Sequence, residues 1–299
     1  MNFRILGRTN LSVSEIGFGA LEIGRNWPYW RREKADFSRP DDAEAKKIIF
    51  KAIDSGINFF DTAPAYQDSE RILGSALKGI RKDIILATKC GEWFDGEHSV
   101  YDYSYNETKK FIDNSLRLLQ TDYIDLLQIH SANVDVIKKG ETLQAMKEAQ
   151  QSGKVRFIGF STDYEDAALL GIESGEYDAI QVSHNALKLS MLKDVFPAAK
   201  EKNIGIIVKD ALSRGQLTSK MSDVAEQEQF SKISQLNNIA KQYSISLTEL
   251  VVRFSISFPE VSTAIIGTKK VNNLIENIQF AKNGMLPFEI VNKIYEMSQ

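Results

Sequence analysis

Short apolar runs alternate with longer amphipathic stretches along almost the entire chain. The runs that are typical of strands are Ile16–Gly19, Ile57–Phe60, Ile84–Thr88, Asp125–Ile129, Phe157–Phe160, Ala179–Val182, Gly205–Val208 and Thr263–Ile266. Most of them are continuously hydrophobic, as strands buried on both faces are. The stretches between them have the helical period of about 3.6 residues, for example Asp42–Ser55, Asn106–Leu119, Glu141–Ser152 and Lys270–Lys282.

This alternation of strand and helix predicts parallel strands joined by right-handed crossovers. Repeated in this way, it favours closure into a (β/α)8 TIM barrel over the alternative, an open doubly wound sheet. Residues 3–15 add a predicted N-terminal β-hairpin, and extra helices near Ser231–Tyr243 and Leu247–Phe258 lie toward the C-terminal end. No Pro- or Gly-rich linker or internal repeat divides the sequence, so we predict one domain over residues 1–299.

Composition narrows the range of partners and compartments. The 299 residues are 43% hydrophobic with a net charge of −3, which gives no reason to expect nucleic acid or an anionic membrane as a partner. No apolar run reaches the roughly 18 residues of a membrane span, and no secretory leader pattern follows Met1. Cys90 is the single cysteine, and we interpret it as a small packed residue in a reducing compartment. We predict a cytoplasmic monomer.

Polar residues follow the predicted strands at the point where each strand ends. In barrels of this kind the active site lies at the C-terminal ends of the strands. The residues in these places are Asp61, Lys89, His130, Ser161, Lys209 and Gly267. Taken singly, each is more often a solvated strand end than a catalyst. An acid, an amine and an imidazole at consecutive strand ends must be neighbours in a closed barrel, which indicates a catalytic site.

Three motifs make this pattern specific: DTAPAY at residues 61–66, ATK at 87–89 and DLLQIH at 125–130. In order and approximate spacing they resemble the core motifs of the aldo-keto reductases. The resemblance covers nearly the whole chain, from LGRT at residues 6–9 to IIGT at 265–268 and the pair Glu276-Asn277. It implies a TIM-barrel enzyme that reduces an aldehyde, ketone or sugar-like carbonyl with hydride from a nicotinamide cofactor.

The resemblance implies a catalytic set of Asp61, Tyr66, Lys89 and His130. Tyr66 would donate a proton to the carbonyl oxygen, and the ammonium of Lys89 would lower the pKa of that phenol from its usual value of about 10. Asp61 would hold Lys89 charged and in place. His130 would donate a hydrogen bond that orients the carbonyl. Considered one at a time, Tyr66 is more simply interpreted as a packed aromatic, Lys89 as a surface lysine and His130 as a core histidine.

The resemblance also implies a row of cofactor contacts. Ser161, Thr162 and Gln181 would face the nicotinamide carboxamide, with Thr162 standing where the family usually has Asn. Lys209 stands where the family often stacks an aromatic ring on the nicotinamide. The full implied set is Gly19, Ala20, Asp61, Ser161, Thr162, Gln181, Lys209, Leu212, Arg214, Gly267, Thr268, Asn273, Glu276 and Asn277.

The choice between cofactors depends on the segment after the last strand. The amides at the N-terminus of the predicted helix favour an anion, and Lys269 and Lys270 precede that helix. These lysines are either phosphate ligands or a solvated charge pair, and the arginine common in the family is replaced by Asn273. We predict that NADP(H) is preferred, with NAD(H) as the alternative.

Other chemistries have less support. The chain has three histidines, one cysteine and no paired metal-ligand motif, so we predict no metal site. The third Gly of a Rossmann fingerprint is replaced by Glu22. A cofactor-binding regulatory subunit of the same fold remains an alternative, and an isomerase or lyase is disfavoured. Trp27, Tyr29 and Trp30, in a long loop, are either walls of the substrate pocket or aromatics packed on the barrel rim.

Overall fold

A computed structural model describes residues 1–26, 38–218 and 227–297, apart from the side chains of Arg214, Gln227 and Glu228. Over these residues the strands are β1 (Phe3–Ile5), β2 (Ser12–Ser14), β3 (Ile16–Gly19), β4 (Phe59–Asp61), β5 (Ile85–Cys90), β6 (Glu92–Phe94), β7 (Ser99–Tyr101), β8 (Ile124–Ile129), β9 (Val155–Thr162), β10 (Ala179–Ser183), β11 (Gly205–Lys209) and β12 (Val261–Gly267). The parallel strands β3, β4, β5, β8, β9, β10, β11 and β12 close in that order into a barrel. The predicted (β/α)8 fold is confirmed.

Helices follow the barrel strands and cover the outside of the barrel. In the described part of the chain they are α1 (Leu21–Gly24), α2 (Asp42–Asp54), α3 (Ser69–Leu77), α4 (Tyr105–Leu119), α5 (Val134–Lys139), α6 (Glu141–Gln151), α7 (Glu165–Ser174), α8 (Val195–Glu201), α9 (Gln227–Gln242), α10 (Leu247–Ile256), α11 (Val271–Lys282) and α12 (Phe288–Met297). Local sequence determines where several of them begin. Ser104 and Ser246 accept hydrogen bonds from the N–H groups of Glu107 and Glu249, the S-x-x-E pattern of a capped start.

Side chains of each barrel strand alternate between two apolar layers. The outward layer packs against the helices, and the inward layer fills the barrel with Phe59, Ile85, Ala87, Leu126, Ala179, Ile207 and Ile265. The predicted N-terminal hairpin is also confirmed, because β1 pairs antiparallel with β2. Leu6, Leu11 and Val13 of this hairpin pack against the inward layer. The hairpin therefore closes one end of the barrel and leaves the other end for the site.

Several strands extend further toward the C-terminal end than the apolar pattern predicts. Lys89 and Cys90 lie within β5, because the ladder to β8 continues through them. Ser161 and Thr162 likewise belong to β9. Polar residues form the backbone hydrogen bonds of a strand as well as apolar residues do. A hydrophobicity pattern therefore cannot detect strand ends that are polar. The hairpin of β6 and β7 is not predicted from the sequence at all.

The structure also bears on the predictions for Cys90 and for membrane-spanning segments. Cys90 is buried in the outward apolar layer, as expected for a packed residue. Among the helices of the described ranges, none is both long enough and apolar enough to cross a membrane.

His184, directly after β10, should make the fold sensitive to acid. Burial among Phe196, Phe254 and Phe258 lowers its pKa to about 4. Between about pH 6.5 and 4, His184 therefore binds a proton in the unfolded chain but not in the folded one. The free energy of unfolding consequently decreases as the pH falls through this window, by up to about 3 kcal/mol.

We expect His184→Phe to remove this part of the acid sensitivity, as measured by melting temperature at several pH values between neutrality and pH 4. The exposed His98 supplies the control, because His98→Gln should leave the acid dependence as it is in the wild type. If the wild type and His184→Phe lose stability in parallel on acidification, the role of His184 is refuted.

Candidate active site

The ammonium of Lys89 is the centre of the site and has no solvent exposure. Its Nζ donates to Asp61 Oδ2 at 2.6 Å, to the Thr62 carbonyl at 2.9 Å and to the Tyr66 hydroxyl at 3.2 Å. An ammonium has three N–H donors, and here each of them has an acceptor. Burial lowers the pKa of Lys89, and the neighbouring Asp61 acts in the opposite direction.

Asp61 connects Lys89 to the strands on the far side of the barrel. Its second oxygen, Oδ1, accepts from Gln181 Nε2 at 2.8 Å and from Gln128 Nε2 at 3.2 Å. The Asp61 backbone is also held, because its carbonyl accepts the N–H of Ala20 at 2.9 Å. The carboxylate is therefore fixed by an ion pair on one oxygen and by two amides on the other.

Tyr66 reaches Lys89 from a short 3-10 helix, Pro64–Tyr66, that follows β4. Helix α1 supports this turn. A Cβ on Gly24 would lie 2.3 Å from the Tyr66 carbonyl oxygen, so the two backbones approach as closely as only glycine allows. Arg25 Nη1 donates to the Ala65 carbonyl at 3.1 Å. Gln67, the next residue, has a φ of 50°, a strained conformation for a residue with a side chain.

The Tyr66 phenol is neutral in the protein alone. Although its side chain is partly exposed, desolvation of the hydroxyl raises its pKa well above the usual value, Asp61 and Glu92 raise it further, and Arg25 lowers it. The prediction that Lys89 draws this pKa toward neutrality is therefore wrong for the protein alone. Burial dominates, and the negative charges of Asp61 and Glu92 act in the same direction as burial. A neutral phenol is nevertheless the form that can donate a proton.

His130 lies at the end of β8, edge-on to the Tyr66 ring at a centroid distance of 5.8 Å. Burial and the positive charges of Lys89, Lys209 and Arg25 lower its pKa well below the usual value, so the imidazole is neutral. Its Nδ1 lies 3.0 Å from Glu92 Oε2. That is an ion-pair distance, but the angle falls outside hydrogen-bond geometry, and Nδ1 has no other partner within the described residues.

A chain of hydrogen bonds continues from Asp61 along the next strands. Ser161 Oγ lies 3.3 Å from Gln181 Oε1, and Lys209 Nζ donates to Ser161 Oγ at 3.1 Å. Lys209 also pairs with Asp163 at 3.2 Å. Lys209 therefore covers Ser161, which is fully buried. Thr162 stands apart, since its Oγ1 accepts the N–H of Tyr164.

The remaining predicted cofactor positions lie on β3 and around the start of α11. Gly19, at the end of β3, pairs with Gly267 of β12 and with Asp61 of β4. Thr268 and Asn277 are buried, Leu212 is half-buried, and Gly267, Asn273 and Glu276 are exposed. Within the described residues no side chain caps α11, which begins after Lys270. Lys269 Nζ donates to the Ser38 carbonyl at 3.1 Å.

Some predictions fall outside what the structure describes. Trp27, Tyr29 and Trp30 lie outside the described residues, as does the side chain of Arg214, whose backbone is in the 3-10 turn Ser213–Gly215. Across residues 1–26, 38–218 and 227–297, no group of His, Cys, Asp and Glu is arranged to hold a metal ion.

Three polar residues of the site are not identified by sequence reasoning. Gln128 contacts Asp61, and a polar residue inside an otherwise apolar strand, two positions before His130, is a signal that could have found it. Glu70 is buried behind β5, where it accepts from Thr88 at 2.6 Å and where burial raises its pKa to about 7. Glu92 belongs to the hairpin that the pattern does not reveal, so its contact with His130 has no sequence signal.

The Asp61–Lys89 pair can be tested by a double-mutant cycle. Asp61→Asn leaves a buried ammonium with only neutral acceptors, and we expect it to destabilise the fold by about 3–5 kcal/mol. Adding Lys89→Met to that variant should restore part of the loss. Urea unfolding followed by circular dichroism measures all four proteins. Strictly additive effects of the two substitutions would contradict a buried, coupled pair.

Comparison with known proteins agrees with this geometry. A family model described as the aldo/keto reductase family matches residues 15–299. L-galactose dehydrogenase of Arabidopsis thaliana is 32% identical over 93% of this chain and 87% of its own length. The NADH-specific methylglyoxal reductase of Escherichia coli is 30% identical over 71% of this chain and 68% of its own.

A solved structure is also similar over the full length. The holo form of an aldo-keto reductase from Bacillus halodurans superposes with a TM-score of 0.87 at 28% identity, covering 100% of this chain and 97% of that one. The match of the family model, the barrel and these relatives together establish that this chain belongs to the aldo-keto reductase family of oxidoreductases, which use nicotinamide cofactors.

Proposed function

We propose that this protein interconverts a small-molecule carbonyl, either an aldehyde, a ketone or a sugar-like carbonyl, and its alcohol by NAD(P)H-dependent hydride transfer, with Tyr66 as the proton donor. The observation that carries the proposal is the contact of Lys89 Nζ with the Tyr66 hydroxyl, while Asp61 accepts from the same Nζ. Two of the similar proteins, an L-galactose dehydrogenase and a methylglyoxal reductase, support this substrate range.

The direction of the Lys89–Tyr66 hydrogen bond supports the role of Tyr66. Because Lys89 donates to the phenol oxygen, the phenolic O–H remains available to donate to a carbonyl oxygen. As hydride reaches the carbonyl carbon, the proton of Tyr66 passes to the oxygen and an alcohol forms. The phenolate left behind is stabilised by the Lys89 ammonium at 3.2 Å. In the reverse direction the phenolate takes the proton back.

Ser161 and Gln181 fit a nicotinamide carboxamide, provided that Lys209 moves away from Ser161. When bound, the nicotinamide supplies or accepts the hydride. Ser161 and Gln181 offer a hydroxyl and an amide for the carboxamide, but both are buried, and Lys209 Nζ lies on Ser161 Oγ. We propose that Lys209 leaves Ser161 when the cofactor binds and keeps its pairing with Asp163, which lies 3.2 Å away.

The start of α11 fits the adenosine end of the cofactor. A helix N-terminus favours an anion, and Lys269 and Lys270 add positive charge beside it. Lys269 is half-buried, and its Nζ donates to the Ser38 carbonyl. We therefore propose NADPH as the preferred cofactor, with NADH still used.

Tyr66→Phe should abolish most carbonyl reduction while leaving cofactor affinity nearly unchanged. The substitution removes the proton donor but keeps the ring, and loss of a group that stabilises developing charge typically lowers kcat by about 10²–10³. Turnover is measured by the absorbance of reduced nicotinamide over a panel of aldehydes and ketones, and affinity by fluorescence titration.

Wild-type turnover by Tyr66→Phe on a good aldehyde would show that another group supplies the proton. Tight cofactor binding without turnover in the wild type on every carbonyl tested would instead favour a regulatory subunit of the same fold.

Replacing Lys269 and Lys270 together by Ala should weaken NADPH binding by about tenfold and leave NADH binding almost unchanged. Only NADPH carries the 2′-phosphate, for which a lysine is a serviceable point-charge ligand. Raising the salt concentration should reduce the preference of the wild type, because exposed charges are screened over about 8–10 Å.

The control is Lys282→Ala, which removes an exposed lysine from the opposite end of the same helix. It should change neither dissociation constant. If the wild type binds NADH as tightly as NADPH, or more tightly, the phosphate role of the two lysines is refuted.

A further inference from the structure

Glu70 is a buried acid that the proposed reaction does not use. It lies in α3, on the outer side of β5, and has no solvent exposure. Its Oε1 accepts from Thr88 Oγ1 at 2.6 Å, and Thr88 directly precedes Lys89 in β5. Because side chains alternate along a strand, a carboxyl group stands on one face of β5 and the central ammonium of the site on the other.

The surroundings of Glu70 suit a neutral carboxylic acid better than a carboxylate. A carboxylate can accept about four hydrogen bonds, but in the described part of the chain the one hydrogen bond to Glu70 comes from Thr88. Its Oε2 has no partner there, and neither has Ser115 Oγ of α4, which is close enough to affect the pKa of Glu70. An ionised oxygen without a donor in an apolar layer is costly. A protonated Oε2 is instead a donor, with the acceptor Ser115 Oγ beside it.

The charged and titratable groups around Glu70 are few. Burial raises the pKa of Glu70 to about 7, against the hydrogen bond from Thr88 and the charge of Lys89. Burial lowers the pKa of Lys89, and the negative charges of Asp61 and Glu70 act in the opposite direction. Cys90, also on the outer face of β5, is a neutral thiol because burial raises its pKa. The buried residues of α4 include none with a charge.

We propose that Glu70 is a positioning residue that keeps its proton in the working enzyme and acts on Tyr66 through Lys89. This inference rests on the proposed function and adds a dependence on pH to it. The phenolate that forms on Tyr66 during reduction is stabilised by the Lys89 ammonium, 3.2 Å away. A carboxylate at Glu70 would place a negative charge behind the same ammonium and oppose the charge that forms on Tyr66. Carbonyl reduction is therefore fastest while Glu70 is neutral and slows as Glu70 ionises.

Infrared spectroscopy tests the protonation of Glu70 directly, because a protonated carboxyl group has a C=O stretching band that a carboxylate lacks. At about pH 6, where exposed carboxyl groups are ionised, we expect the wild type to retain such a band. The band should be lost by about pH 8 and be absent from Glu70→Gln. A wild type without the band, or an unchanged band in Glu70→Gln, would overturn the proposal. The wild-type spectrum needs neither a variant nor turnover.

Stability supplies a second measurement that is independent of turnover. Because the pKa of Glu70 is raised from its usual value of 4.5 to about 7 in the folded chain, its proton stabilises the fold at low pH, and this contribution is lost as the pH rises through about 7. Glu70→Gln keeps the shape of the side chain and cannot ionise. We therefore expect its urea midpoint to rise relative to that of the wild type between about pH 5 and 8. Parallel curves for the two proteins would contradict a buried acid that ionises in this range.

The pH dependence of turnover tests the effect on the site. We expect the ratio of kcat in the wild type to kcat in Glu70→Gln to fall by about three- to tenfold between about pH 6 and 8. Thr88→Val removes the donor that favours the carboxylate, so it should move this fall to higher pH. The control is Glu173→Gln, which changes an exposed glutamate of α7 and should keep the wild-type profile.

A ratio that stays constant with pH would overturn the action of Glu70 on Tyr66. If the ratio is constant while Tyr66→Phe still abolishes turnover, the proposed function stands and only the role of Glu70 is refuted.

Discussion

The site depends on the burial of one ammonium group. Lys89 has no exposure, and an unpaired charge in such a place would cost several kcal/mol. The barrel avoids this cost by supplying three acceptors: the Asp61 carboxylate, the Thr62 carbonyl and the Tyr66 hydroxyl. Because the Tyr66 hydroxyl is one of the three, the hydrogen bond that helps to satisfy the ammonium also fixes the position of the Tyr66 hydroxyl.

Parallel strands make this arrangement rigid. Asp61 ends β4 and Lys89 lies in the adjacent β5, so the ion pair spans two neighbouring strands. Gln128 and Gln181, from β8 and β10, hold the other carboxylate oxygen. Four barrel strands thus contribute to the position of one carboxylate, whereas Tyr66 stands on a short turn that α1 supports through Gly24.

Burial shifts the pKa of Tyr66, His130 and Lys89 toward the neutral form of each group. It raises the pKa of Tyr66, lowers that of His130, and lowers that of Lys89. Burial and the cations Lys89, Lys209 and Arg25 keep His130 neutral, and Asp61 adds to the effect of burial on Tyr66. The result is a neutral phenol and a neutral imidazole beside a paired ammonium. This is a set of groups that can exchange a proton with a substrate without creating an unpaired buried charge.

The sequence alone predicts the barrel, its strands and the catalytic set, because continuous apolar runs and the motifs around Asp61, Lys89 and His130 are local signals. It does not show where the strands end, since Lys89 and Ser161 continue a backbone ladder that hydrophobicity does not report. Contacts between distant segments come only from the tertiary structure. Examples are Gln128 on Asp61, Lys209 over Ser161 and Glu92 beside His130. These contacts join residues that are far apart in the chain or lie in elements without a pattern, and the closed barrel alone brings them within hydrogen-bond distance.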